Sequence, residues 1–231
     1  MDQPSRKVLD EEIRAIRNDV AQLGARVEQA LGRAFEAFGT NDAALAQSVF
    51  EDDEVIEILH QHLEVEINKT MSTQQPMVRD LRELTGALLI ANELDRMRDY
   101  SERIAAQVIN RVGPPGTNDL TMVTTMRDKT VTMIHEVMAA YNTNNPDQAR
   151  AAAEANTRLD ALYKQLFDEI VTGMGEGQLT LQQGTYQMWV AQYLERISSR
   201  VVSIAERVIY ISTGAARAIR SRGRQRSEPT P

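Results

Sequence analysis

Residues 94–109, LDRMRDYSERIAAQVI, align without a gap on residues 194–209, LERISSRVVSIAERVI, at an offset of 100. Matching positions include Leu94/Leu194, Arg96/Arg196, Ile104/Ile204, Ala105/Ala205 and Val108/Val208. A second pair of stretches aligns at an offset of 103, through Ile56/Leu159, Leu59/Leu162, Leu63/Leu166 and Ile67/Ile170. Two matched segments in the same order indicate an internal duplication. Within each copy the apolar positions advance in steps of three and four. They are Val190, Leu194, Ile197, Val201, Ile204, Val208 and Ile211 in one copy. In the other they are Ile90, Leu94, Met97, Ile104 and Val108, with Ser101 holding one place. Leu45, Val49, Ile56, Leu59 and Leu63 keep the same frame. Such spacing sets one apolar stripe along a helix and suits coiled-coil-like packing against antiparallel neighbours.

Working outward, the breakers divide the chain into six helices, near 5–38, 42–70, 76–112, 118–142, 146–172 and 178–217. Asn41-Asp42 and Asn145-Pro146-Asp147 carry N-cap signals, with Pro146 suited to the first helical position; Pro76 opens the third helix. VGPPGTND (112–119) is the one strong linker. The segments between are rich in Ala, Leu, Glu, Gln, Arg and Met, and strand-like alternation is absent. The expected fold is all-α: two pseudo-symmetric three-helix bundles, over residues 1–113 and 117–217, followed by a basic, disordered tail at 218–231. The methionines, Met133 and Met138 among them, read as core filler.

Composition narrows the function. The 231 residues hold 26 Lys+Arg against 33 Asp+Glu, a net charge of −7. Without cysteine there is no disulfide framework, thiolate metal site or cysteine nucleophile, and three histidines make a His-built zinc site improbable. No apolar run spans a bilayer, and MDQPSRKVLDEEIR at the N-terminus has no signal-peptide core. A cytoplasmic location is the expectation.

Two carboxylate pairs sit beside the apolar stripes. Asp95 and Asp99 are i, i+4 on the third helix, and Asp53 and Glu57 stand likewise on the second. If these helices pack antiparallel the pairs converge. Like charges at this spacing repel by roughly 0.2–0.5 kcal/mol, which a bridging cation would reverse. Hard oxygen ligands suit Mg²⁺, Ca²⁺, Mn²⁺ or a carboxylate-rich iron site. The competing reading is a set of solvated acids beside Arg96 and Arg98. Glu57-Ile58-Leu59-His60 spells a Glu-x-x-His motif, but di-iron bundles need two and no second exists, so His60 reads as a surface residue.

QQPMVRDLRELTGALLIANELDRMRDYSERIA (74–105) resembles the central signature of the PhoU family of phosphate-uptake regulators. The matching residues are Gln75-Pro76, Val78, Arg79-Asp80-Leu81-Arg82, and the Glu/Asp-x-x-x-Asp pair Asp95/Asp99; YLERISSRVVSIAERVIY (193–210) is similar to a second copy. The resemblance implies one metal site per repeat. The first would comprise Asp53, Glu57, Asp95 and Asp99, and the second Asn156, Asp160, Glu195 and Ser199. Two acids of the second are replaced, leaving Asp160 and Glu195, so its binding should be weak or lost. The ion would be divalent or iron-type: Mg, Ca, Mn, Fe or Zn. The resemblance further implies a regulator without catalytic residues, whose partners are the ATPase subunit of a phosphate transporter and a sensor histidine kinase. A homodimer and peripheral membrane association are left open. The alternative is a carboxylate-bridged metalloenzyme or metal-storage bundle.

The tail carries Arg217, Arg220, Arg222, Arg224 and Arg226 against one glutamate, behind a body of about −11 (21 basic, 32 acidic residues). It suits an anionic lipid surface. The acidic body and lack of interleaved aromatics argue against nucleic acid.

Overall fold

The computed structural model describes residues 3–110 and 120–215. Among these there are seven helical segments and no strand: α1 (Gln3–Thr40), α2 (Ala43–Gln74), α3 (Val78–Ile109), α4 (Thr121–Thr143), α5 (Pro146–Glu154), α6 (Asn156–Gly175) and α7 (Leu181–Thr213). The expected linker at 112–119 and all five tail arginines lie outside the described residues.

The helices begin where the caps require. The Asp42 carboxylate accepts from the amides of Ala44 and Leu45 at 2.9 and 3.0 Å, and Asn145 accepts from Asp147 and Gln148, with Pro146 in the first turn. The third helix starts two residues later than expected, because Gln75 takes a left-handed conformation (φ 48°) that closes α2. A capping box at Thr180 and Gln183, not anticipated from the sequence, starts α7 at Leu181; Gly214 (φ 73°) ends it.

One expected helix is divided. Residues 146–172 form α5 and α6, separated at Ala155, where Arg158 reaches back three residues to the Ala155 carbonyl at 3.1 Å and neighbouring i→i−4 bonds lengthen to 3.3 Å. The equivalent stretch of α2 is continuous. The repeats therefore share helix order but differ at this turn.

The apolar stripes form one continuous core. Ile16, Val20, Leu23, Val27 and Leu31 pack α1 against α2 and α3; α4, α5 and α6 gather around α7. The bundles meet where α3 packs along α7, the two repeat-related helices. Met133 and Met138 are buried as expected. Gly86 allows the closest approach on that seam: a Cβ there would lie 2.5 Å from Ile211.

Candidate functional site

The regular pitch of α2 and α3 brings Asp53, Glu57, Asp95 and Asp99 to one place, and Arg98 projects into their midst. Its Nη1 donates to Asp53 Oδ2 at 2.8 Å and lies 3.7 Å from Glu57; Nη2 donates to Asp99 Oδ1 at 3.1 Å. Its Nε stands 3.1 Å from Asp95 Oδ1, within ion-pair reach but off the hydrogen-bond line. Arg98 is only 13% exposed at its side chain, against 22% for Asp53 and 26% for Asp95, whereas Asp99 and Glu57 are 44% and 51% exposed. Burial holds the Asp53 carboxyl above the ordinary aspartate range. Arg98 pulls the other way, while Glu102, Asp99 and Glu57 reinforce the rise.

This arrangement bears on whether the residues fit a metal. Oxygen-ligated divalent ions need about six donors at roughly 2.0–2.6 Å. Among the described residues no three His, Asp or Glu side chains are placed to hold one ion. One oxygen, Asp53 Oδ1, is buried without a hydrogen bond, but a single orphan donor is not a ligand set. As arranged, the quartet fits a guanidinium and does not fit a metal ion.

The second repeat differs in chemistry. Asn156, which is buried, donates to both Asp160 oxygens at 3.3 and 3.2 Å, and Ser199 Oγ donates to Glu195 at 3.4 Å. Burial raises the Asp160 carboxyl above its usual range, opposed by Lys164 and the Asn156 bond. Ser198, at the position equivalent to Arg98, is buried and bonds the Glu195 carbonyl. Arg200 instead crosses the seam to Glu93 at 3.2 Å.

Several features escaped the sequence reading. His60 is a partly exposed residue with a structural partner: it shares a 2.8 Å hydrogen bond with Asn92, tying α2 to α3. Asp80 of the Arg-Asp-Leu-Arg stretch is buried and receives two bonds from Arg6, at 2.6 and 3.0 Å, clamping α1 onto the start of α3. A helix stripe interrupted by one buried acid was the available signal. On the α3/α7 seam a cavity of about 380 Å³ is lined by Arg96, Arg103 and Arg196, with stacked Tyr100 and Tyr193 rings 6.0 Å apart and Trp189 at its rim. Among the described residues no carboxylate pairs with Arg103 or Arg196, and Asp99, which also lines the cavity, is already bonded to Arg98.

Comparison with known proteins agrees with the duplicated architecture. The sequence model described as the PhoU domain matches twice, at residues 20–108 and 123–208. A phosphate-specific transport system accessory protein PhoU homolog from Rhizobium meliloti is 30% identical over 89% of this chain and 87% of its own; one from Clostridium acetobutylicum is 26% identical over 91% and 96%. The crystal structure of PhoU from Pseudomonas aeruginosa superposes with a TM-score of 0.82 at 26% identity, covering 89% of this chain and 99% of that one. That of the phosphate transport system regulatory protein PhoU from Streptococcus pneumoniae gives 0.83 at 22% identity, with 90% and 99% covered, a likeness of fold. Two domain matches in tandem, spanning both bundles, place this chain in the PhoU family.

Proposed function

We propose that the chain is a regulatory adaptor of phosphate uptake, coupling the ATPase subunit of a phosphate ABC transporter to a sensor histidine kinase at the cytoplasmic face and restraining the starvation response when phosphate is plentiful. The observation that carries this reading is the extent of the match. Both repeats, in order, align with relatives named as accessory proteins of phosphate-specific transport, nearly end to end. Such a role needs surfaces and a stiff frame, and a frame of long helices closed by interhelical ion pairs supplies both.

We assign partner contact to the α3/α7 seam. Three arginines and the half-exposed Trp189 form a local basic, aromatic surface on a chain of net charge −7, and suit an acidic segment of the ATPase or kinase. No helix among the described residues is long and apolar enough to cross a membrane, so in this reading the adaptor meets its partners from the side, aided by its arginine tail. The metalloenzyme or metal-storage alternative gains nothing from a carboxylate quartet already filled by Arg98.

The test is recovery of the tagged full chain from solubilised membranes, with and without phosphate, and identification of what accompanies it by mass spectrometry. Recovery of a phosphate-transporter ATPase or a sensor kinase, altered by phosphate, is the expected result. Neither protein in either condition, together with turnover of Fe²⁺ oxidation by the purified chain, would replace this reading with the alternative.

A further inference from the structure

We propose that Arg98 is the resident counter-cation of the first repeat: it stands where the family resemblance puts a metal ion, and it closes α2 onto α3 without one. The geometry is specific. The two acids most withdrawn from water, Asp53 and Asp95, are the ones that need a neighbouring positive charge, and the guanidinium lies against both. Asp99 and Glu57 keep roughly half their exposure, so water serves them as well as the arginine does. Guanidinium is suited to the task because its planar fork carries five N–H groups and stays charged at every physiological pH. A divalent ion entering the same space would meet that fixed charge at close range, and would have to expel the side chain first.

The internal repeat gives independent support. At the position of Arg98 the second repeat has Ser198, too short and uncharged to serve. In that same repeat two of the four acids are absent, with Asn156 and Ser199 in their places, each donating a hydrogen bond to the acid that remains. Where the cation is present all four carboxylates are kept; where it is missing, two are gone. The chain thus settles the charge of both quartets with its own side chains, by pairing in one repeat and by deletion in the other. This inference concerns how the frame is held and does not depend on the adaptor role.

The experiment uses the full chain, its Arg98→Ser and Arg98→Lys variants, and Asp53→Asn in the wild-type and Arg98→Ser backgrounds. Metal content is measured by plasma mass spectrometry, and thermal unfolding is followed in chelator, in MgCl₂ and in MnCl₂. The wild type should carry well below one equivalent of metal and unfold at the same temperature in all three solutions. Arg98→Ser should unfold at least about 3 °C lower in chelator and regain most of the loss in MnCl₂, and Asp53→Asn in that background should abolish the recovery. Arg98→Lys, which keeps a cation but not the fork, should fall between and stay insensitive to Mn²⁺. Stoichiometric metal in the wild type that disappears in Asp53→Asn overturns the proposal. So does an Arg98→Ser variant of unchanged stability, or one whose loss MnCl₂ does not restore. If Arg98→Ser fails to fold, the wild-type metal content and the Arg98→Lys response decide the matter.

Discussion

Gly86→Ala tests the seam between the repeats. Gly86 lies in the interior of α3 and is buried against α7, and a methyl group on it would fall 2.5 Å from both Cγ1 and Cδ1 of Ile211. Nonbonded carbons settle about 3.5–4.0 Å apart, so roughly 1 Å of displacement is required. Because Cγ1 is tied closely to the Ile211 backbone, the isoleucine cannot swing clear without leaving its rotamer or moving α7. Overpacking of this kind costs about 1–3 kcal/mol. Replacing glycine by alanine inside a helix returns about 1 kcal/mol. The net expectation is a loss of up to about 2 kcal/mol, or a melting temperature lower by up to roughly 8 °C for a chain of this size. Urea and thermal unfolding read it directly. Ile211→Ala alone should cost about 2–5 kcal/mol by leaving a cavity, but in the double variant the new methyl group occupies part of that space. The double variant should therefore be more stable than the sum of the singles by at least about 1 kcal/mol. Additive effects, or a Gly86→Ala variant more stable than wild type, would refute a tight α3/α7 contact at this point.

Three further outcomes are expected. Tyr141 is buried beneath the Arg17 guanidinium with its hydroxyl unbonded, and burial raises its phenol well above the usual value, against Arg17 and with Glu83. The unfolded chain therefore releases this proton first, above about pH 10, so the stability contribution is whole below that pH and lost as pH rises through it. Tyr141→Phe should change stability at pH 7 by less than about 1 kcal/mol and flatten the alkaline decline in urea titrations; parallel declines would count against the assignment. Reversing charge on the seam with Arg96→Glu and Arg196→Glu should slow capture of the transporter ATPase or kinase, most strongly at low salt; unaltered capture moves partner contact elsewhere. Vesicles containing anionic lipid should sediment the full chain better than a chain ending at Thr213, since each basic residue near the surface contributes up to about 1 kcal/mol. The difference should vanish near 1 M salt, where the Debye length is about 3 Å.

The helices and their pairing into two related bundles were legible because the information is local and periodic. Leu94, Ile104 and Val108 recur at intervals that only a helix turns to one side, and their counterparts 100 residues on repeat the instruction. Asp42 and Asn145 mark helix starts because a cap needs only the next two or three amides. The convergence of Asp53, Glu57, Asp95 and Asp99 was also readable, being two i, i+4 pairs beside stripes that must face each other. The division at Ala155 was not readable, since Ala and its neighbours are good helix formers and the lapse lies in bonds that lengthen by a few tenths of an ångström.

The direction of Arg98 was decided only in the folded chain. In sequence it is one of two arginines among acids, and Arg96, two residues away, points to the outer cavity instead. A long side chain chooses its partner after the backbones are in place, by the balance of charge, water and rotamer at that site. The same holds for Arg6 on Asp80 across 74 residues and His60 on Asn92 across 32. Apolar periodicity brings helices together whatever their partners, because burial is roughly proportional to area and has no direction. Ion pairs and hydrogen bonds depend on angle and distance, and for residues far apart in the chain those quantities exist only once the tertiary structure has formed.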